Sequence, residues 1–315
     1  MNSVELSLVM PVKDEEVAIG PCLARLIPVI EAMDDPAARS FEILFVDDGS
    51  SDSTLDVIRK ANAADPRVRG LSLSRNFGKE AALTAGLDAA RGLAVVPLDV
   101  DLQDPPEALP RMIAEWRNGF DVVYGVRDNR ETDSLPKRIT ADFYYRAHNW
   151  LSNDKIPEHA GDFRLLDRRV VDVIRQMPER NRFMKGLFAW AGFKQAAVSY
   201  HREERKVGST KFNYWKLWTL AIDGITSAST VPLRIWSYLG GFVALGALGY
   251  ALFIIIRTLT TGIVVPGYAS LMVAILFLGG LQLLSLGVLG EYVGRILTET
   301  KARPLYVVRE TIGGD

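Results

Sequence analysis

Pro97-Leu98-Asp99-Val100-Asp101-Leu102-Gln103-Asp104-Pro105-Pro106 is the stretch on which the reading of the chain turns. An apolar strand, Leu93 to Leu98, runs into two carboxylates one residue apart. Side chains at i and i+2 of an extended segment leave on the same face. Asp99 and Asp101 are therefore expected to converge on one hard cation, with Gln103 next in the same register. Oxygen-only ligands favour Mg2+ or Mn2+ over zinc. An isolated Asp-x-Asp is short and common, however, and a turn that ends a strand and caps a helix explains it equally well. The neighbouring chain has to decide.

Upstream, the same pattern repeats. Leu6 to Val12 reads as a short buried strand stopped by Lys13-Asp14-Glu15-Glu16, with a helix from about Ala18 to Met33. Phe41 to Val46 is a second strand ending in Asp47-Asp48-Gly49-Ser50-Ser51-Asp52, where Asp52 or Ser53 can N-cap a helix to about Ala63. Val68 to Ser72 is a third strand, Glu80 to Arg91 a helix, Leu93 to Leu98 a fourth strand, and Pro106 to Asn118 a helix. Alternating apolar strands and helices of this length predict an α/β fold with a mostly parallel sheet covered on both faces. Ligands in such sheets bind beyond the carboxyl ends of the strands, which is where Asp14-Glu15, Asp47-Asp48 and Asp99-Asp101 all fall.

Composition bounds the class. The 315 residues are 48% hydrophobic with a net charge of −1, so nothing points to nucleic acid as a partner. That balance hides an asymmetry: Ile235 to Ile256 and Tyr268 to Leu289 are almost free of charge. Each is about 22 residues long, enough at roughly 1.5 Å per residue to cross a hydrocarbon core of roughly 30 Å. They are predicted transmembrane helices. Arg234 precedes the first, Arg295, Lys301 and Arg303 follow the second, and the connection offers only Arg257. Positive-inside counting therefore puts both outer ends, and the polar domain with them, in the cytoplasm. Met1 to Glu5 lacks a basic leader, so no signal peptide is expected. The single cysteine, Cys22, excludes an intrachain disulfide and suits a reducing compartment.

The acidic edge is not a usual dinucleotide site, since no Gly-x-Gly-x-x-Gly follows the first strand, and a Walker A loop is missing too. With a metal it could hold a nucleotide diphosphate, while a carboxylate accepts a hydrogen bond from a base or ribose. Ser74-Arg75-Asn76-Phe77-Gly78-Lys79 would add positive charge, although a polar loop before a helix needs no such role.

Met10-Pro11-Val12-Lys13-Asp14-Glu15-Glu16, Val46-Asp47-Asp48-Gly49-Ser50-Ser51-Asp52, Ser74 to Lys79 and Leu98 to Pro106 together resemble family 2 glycosyltransferases of GT-A fold. More closely, the chain is similar to the polyprenyl-phosphate glycosyltransferases, the dolichol-phosphate mannose synthases and bacterial bactoprenol glucosyltransferases. The resemblance covers essentially the whole length, including the two apolar segments. One departure is that the family's usual Tyr-Asn before Glu-Glu is Lys13-Asp14 here.

The resemblance implies that Pro11, Val12, Glu15, Asp47 and Asp48 line the nucleoside pocket, that Arg75 and Lys79 assist at the donor, and that Asp99, Asp101 and Gln103 hold Mg2+ or Mn2+ against the diphosphate. It implies an inverting, in-line displacement whose leaving-group charge the cation neutralises. His159-Ala160-Gly161-Asp162-Phe163-Arg164-Leu165-Leu166 resembles the segment carrying the family's catalytic carboxylate, making Asp162, with Asp101, the catalytic candidate. A phosphate monoester has a second pKa of about 6 and is already nucleophilic at neutral pH, so Asp162 would orient the acceptor more than deprotonate it. Arg202 to Phe212 resembles the flexible basic segment that closes over the donor, with Arg205, Ser209 and Lys211 as its contacts, a charged linker approaching a membrane being the alternative.

On the acceptor side, Arg127, Arg130, Lys137 and Arg138 lie within a dozen positions after a strand predicted over Asp121 to Gly125. Arg127 and Arg138 are favoured for a lipid phosphate, with a solvated or headgroup-facing surface as the alternative. Phe212, Trp215, Trp218, Ile222 and Ile225 recur at helical spacing beside the first apolar segment and predict an interfacial helix. Gly290 and Gly294 have the Gly-x-x-x-Gly spacing of close helix packing, and Glu291 beside them suits pairing or snorkelling better than catalysis.

The expected organisation is a cytoplasmic GT-A domain over 1–211, amphipathic juxtamembrane helices over 212–233, two transmembrane helices within 234–294 (about 235–256 and 268–290), and a cytoplasmic tail over 295–315, with scope for a short added strand. The expected reaction moves one hexose, glucose from UDP-glucose being favoured, onto polyprenyl (undecaprenyl) phosphate. GDP-mannose, UDP-N-acetylhexosamine and UDP-aminoarabinose-type donors stay open. The expected setting is the bacterial inner membrane, with a homo-oligomer, a tetramer among the options. A processive polysaccharide synthase is disfavoured because no Gln-x-x-Arg-Trp is present and two spans are too few for a channel. The rival of another class is a non-catalytic nucleotide-sugar-binding membrane scaffold.

Overall fold

The strand runs that are apolar in sequence are buried on both faces. The computed structural model describes residues 4–127, 160–180, 182, 184–201, 231–261 and 267–313. In chain order, β1 (Leu6–Val12), α1 (Ile19–Glu31), β2 (Phe41–Asp47), α2 (Thr54–Ala64), β3 (Val68–Leu73), α3 (Lys79–Ala89), β4 (Ala94–Pro97), α4 (Leu109–Arg117) and β5 (Val122–Arg127) keep the predicted alternation. They are followed by β6 (Ala160–Asp167), α5 (Arg168–Gln176), α6 (Met184–Trp190), β7 (Gln195–Tyr200), α7 (Val231–Thr261), α8 (Tyr268–Thr300) and β8 (Val308–Ile312). Among the described residues the strands form one sheet, ordered β7-β5-β6-β4-β1-β2-β3-β8.

Parallel pairing joins β1 to β2 and β4, β2 to β3, and β5 to β7. The carboxyl ends of β1, β2, β3 and β4 therefore share one edge. β6 is antiparallel to β4 and β5, which brings its amino end to that same edge. Leu6, Leu8, Met10, Ile43 and Phe45 pack against α1, α2 and α4 on one face of the sheet, through Cys22, Leu26, Ile58 and Met112 among others. Val9, Leu44 and Val46 pack against α3 and α5 on the other. Every residue from Ala82 to Leu87 is buried. Gly86 lets α3 approach closely, since a Cβ there would collide with Val9 Cγ1.

One sequence expectation is corrected. β4 stops at Pro97, and Asp99 to Leu102 form a tight turn closed by the Leu102 N–H on the Asp99 carbonyl (3.2 Å), with Leu102 at φ +48°. Asp99 and Asp101 are thus neighbours on a turn, not alternate residues of an extended strand, because Asp and the following Pro-Pro favour reversal over continuation. After α8, which runs to Thr300, the short added strand for which the tail had scope is present: β8 joins β3 as an antiparallel edge strand.

Of the described helices, Val273–Thr300 within α8 is long and apolar enough to cross a membrane, and Tyr238–Ala247 within α7 is a shorter apolar piece. Glu291 pairs with Arg295 one turn on (3.0 Å), as its position suggested. The expected interfacial helix over 212–233 lies almost wholly outside the described residues.

Candidate active site

At the shared strand edge the loops are tied together by their own acidic and hydroxyl side chains. Asp14 adopts φ +54°, a left-handed conformation that Asn and Asp tolerate better than most residues. Its N–H donates to Ser50 Oγ (2.9 Å), and its carboxylate accepts from the Ser51 N–H (2.8 Å) and Oγ (3.1 Å). The Ser51 backbone bond leads in lowering the Asp14 carboxyl below its usual pKa. Position 14 thus calls for a short side chain that tolerates the left-handed turn and accepts hydrogen bonds. The neighbouring N–H groups are also used: that of Glu15 donates to Thr54 Oγ1 (2.9 Å), and that of Glu16 to Asp52 (3.3 Å).

Asp47 ends β2, Asp48 follows it, and both are buried. Asp47 accepts from the Ser50 N–H (2.9 Å) and from Ser72 Oγ at the end of β3 (2.9 Å). Asp48 accepts from the N–H groups of Phe77 (2.7 Å) and Gly78 (2.9 Å), and so holds the loop that carries Arg75 and Lys79. Gly49 is required between them and that loop. It sits at φ +66°, and a Cβ there would lie 2.5 Å from the Arg75 carbonyl carbon. Arg75 stacks its guanidinium over Phe77, 4.4 Å from the ring centre.

Beyond β4, the Lys79 ammonium lies 2.7 Å from one Asp99 oxygen and 2.9 Å from the other. Asp101 accepts from the Gln103 N–H at 3.2 Å. Pro11, Lys79, Pro97, Asp99, Asp104 and Phe163 line a cleft here together with Glu80, Leu83, Leu98, Met184 and Phe188. Among the described residues no group of three His, Cys, Asp or Glu side chains gathers as a metal site. Two half-buried carboxylates on one turn nonetheless suit Mg2+ or Mn2+, which takes much of its shell from water and phosphate oxygens and needs no all-protein cage.

One group that the sequence did not single out, Tyr200, belongs to this edge. Tyr200, fully buried at the end of β7, donates its hydroxyl to Asp104 and accepts from Arg127 Nε (3.4 Å). Burial first, then the Asp104 charge, pushes the Tyr200 phenol pKa up. Asp104 was visible as the next acid in the opening stretch, but its partner comes from 96 residues away and left no sequence signal. Cys22, in α1, contacts Met10 Sδ at 3.8 Å; burial, with the Asp101 charge adding to it, pushes the thiol up to about 12.

The predicted residues Pro11, Lys79 and Asp99 meet at the cleft, while Val12 and Asp47, the last residues of β1 and β2, and Glu15, Asp48 and Arg75, in the loops beyond the strands, lie along the same edge. Arg127 ends β5 and is joined to that edge through Tyr200. Asp162 lies in β6, next to the cleft residue Phe163; its side chain is outside the described residues. Arg138, Arg205, Ser209 and Lys211 also lie outside them.

The model for "Glycosyl transferase family 2" matches residues 7–175, and that for "GtrB C-terminal hairpin" matches residues 231–296. A prophage bactoprenol glucosyl transferase homolog of Escherichia coli is 51% identical over 97% of this chain and 99% of its own. A bactoprenol glucosyl transferase of Shigella phage SfX is 50% identical over 97% and 99%. An uncharacterized glycosyltransferase of Synechocystis is 50% identical over 99% and 96%. Among solved structures, the mannosyltransferase PcManGT from Pyrobaculum calidifontis, in complex with GDP-Man and Mn2+, aligns at 18% identity with a TM-score of 0.46, covering 83% of this chain and 84% of that one.

Proposed function

Since the chain belongs to glycosyl transferase family 2 and has the GT-A-like α/β fold, we propose that it transfers glucose from UDP-glucose to a polyprenyl phosphate at the cytoplasmic face of the bacterial inner membrane. The observation that carries this reading is the joining, in one chain, of an acidic strand-end edge to a GtrB C-terminal hairpin. Relatives about 50% identical over nearly their whole length carry the name bactoprenol glucosyl transferase, which favours glucose as the sugar and a polyprenyl carrier as the acceptor.

In this reading, Pro11, Val12, Glu15, Asp47 and Asp48 form the nucleoside side of the pocket. Asp99, Asp101 and Gln103 hold a divalent cation, which when bound neutralises charge developing on the departing diphosphate. Lys79 already places an ammonium on Asp99 at the mouth of the cleft. It supplies positive charge next to the diphosphate, and its exposed pairing exchanges readily. Arg75, Arg205, Ser209 and Lys211 complete the diphosphate contacts. Arg127 and Arg138 receive the lipid phosphate, and the Tyr200 hydroxyl steadies Arg127 from behind.

Asp162 stands near the amino end of β6, an antiparallel strand whose amino end reaches this edge. It orients the acceptor phosphate, whose own oxygen attacks the anomeric carbon as the glucosyl–phosphate bond of the donor breaks; the electron pair leaves with UDP. The glycine-rich hairpin supports packing between copies of the chain in the bilayer.

Purified protein incubated with undecaprenyl phosphate and a panel of nucleotide sugars, with and without EDTA, tests the proposal. Glucolipid formed from UDP-glucose and abolished by EDTA is expected. Transfer of a different sugar in preference to glucose would overturn the donor assignment. Nucleotide binding without any glycolipid would overturn the enzyme in favour of a scaffold.

A further inference from the structure

β8 arrives at the sheet after the apolar hairpin, 235 or more residues from its partner strand β3 in sequence, and it docks beside the donor edge. Its backbone pairs Gly70 with Ile312 and Ser72 with Glu310, and the Ser74 N–H donates to the Val307 carbonyl (2.8 Å). Arg59 clamps Glu310 at 2.7 Å, and Arg69 Nε reaches the Gly313 carbonyl at 3.2 Å. Docking is therefore secured by contacts that do not involve Arg309.

Arg309 makes a different contact. Its Nη2 donates to Ser72 Oγ at 3.0 Å, and that same hydroxyl donates to Asp47 Oδ2 at 2.9 Å. Ser72 and Asp47 are both fully buried, whereas Arg309 lies on the exposed edge strand. A serine hydroxyl has one proton and can rotate toward either acceptor or donor neighbours. A guanidinium occupying its lone-pair side leaves that proton one direction to point, onto Asp47. Each bond in such a chain also polarises the next. The other Asp47 oxygen is fixed by the Ser50 N–H (2.9 Å). The orientation of this carboxylate is thus set from both sides, and one of the two settings comes from the far end of the chain.

We propose that Arg309 is a positioning residue for the nucleotide-sugar pocket, acting through Ser72 on Asp47. This rests on the reading that the β1–β2 edge receives the nucleoside diphosphate. It makes donor binding depend on a strand that docks only after the hairpin has been traversed, so that the membrane-proximal end of the chain and the pocket are one mechanical unit.

The test compares Arg309→Gln, Arg309→Lys and Glu310→Gln in the full-length protein, using UDP binding by calorimetry together with KM for UDP-glucose, KM for undecaprenyl phosphate and kcat. Loss of one charge-assisted link is expected to weaken UDP binding and raise the UDP-glucose KM of Arg309→Gln by about five- to tenfold. Its lipid KM and kcat at saturating donor should stay near wild type. Arg309→Lys, which can still donate to Ser72, should recover most of the loss, and Glu310→Gln, which loosens docking without touching the relay, should leave donor affinity unchanged. Equal UDP binding by Arg309→Gln and wild type overturns the proposal. So does a loss in Glu310→Gln as large as in Arg309→Gln, because strand docking alone would then account for it, or a failure of lysine to improve on glutamine. Wild-type protein that binds no UDP overturns the donor reading itself, a result the calorimetry separates from the others.

Discussion

Asp99→Asn separates the stability of the site from its chemistry. The carboxylate pairs with Lys79 at 2.7 Å, but the two side chains are 43% and 51% exposed. An ion pair so open to water contributes about 0–1 kcal/mol. For a domain of this size that corresponds to a melting shift of less than about 4 °C. The catalytic loss should be far larger, because removing one stabiliser of developing negative charge costs about 100- to 1,000-fold in rate. The assay is transfer of labelled glucose from UDP-glucose to undecaprenyl phosphate by detergent-purified protein, read beside a thermal unfolding curve of the same sample. Lys79→Gln serves as the companion, since it breaks the same ion pair and keeps the carboxylate. It should show the same small melting shift with a smaller loss of rate than Asp99→Asn. Near-wild-type turnover in Asp99→Asn would refute the argument, and so would identical rates in the two variants, which would assign the effect to the pair and not to the carboxylate.

Other expectations follow from groups away from the cleft. Glu42 accepts from Ser7 Oγ (2.5 Å), the Arg91 N–H (2.7 Å) and Arg69 (2.5 Å) in the interior. Glu42→Ala strands the Arg69 charge and should cost about 3–5 kcal/mol, and denaturant unfolding showing under 1 kcal/mol would contradict that role. Cys22, its thiol pushed up to about 12, should resist iodoacetamide at pH 8 in folded protein and react fully once unfolded; rapid alkylation of the native state, followed by mass spectrometry, would count against the burial. The Asp35 carboxyl is held low first by its hydrogen bond from Arg117. Burial pushes Asp167 up, but bonds from Trp116 and Arg169 outweigh it and leave it lowered. Depressed folded-state values give stability that is complete above the unfolded value of about 3.9 and lost as pH falls through the folded one. Melting temperature should therefore drop below about pH 4, with Asp35→Asn flattening the drop, and a melting temperature that rises on acidification from pH 5 would reverse the sign.

The alternation of apolar strands and helices was legible because burial on both faces demands continuous hydrophobic runs such as Leu6–Val12 and Phe41–Val46, and periodicity is a local property. The acidic strand ends were legible for the same reason, since each follows its strand directly in the chain. The geometry of Asp99 and Asp101 was not: extended register was assumed, whereas the Asp99–Leu102 turn is closed by a backbone bond that the residue pattern alone does not specify.

By itself, then, the sequence determined the α/β alternation, the apolar helices and the residues at each strand end, all consequences of near-neighbour chemistry. Only the tertiary structure decided which of those ends meet. It set Lys79 against Asp99, Tyr200 against Asp104, and Arg309 through Ser72 against Asp47, pairs separated by 20, 96 and 237 residues in the first, second and last links. Such contacts exist because parallel pairing brings distant strand ends to one edge, and hydrogen-bond geometry there depends on ångström-scale register that no local pattern encodes.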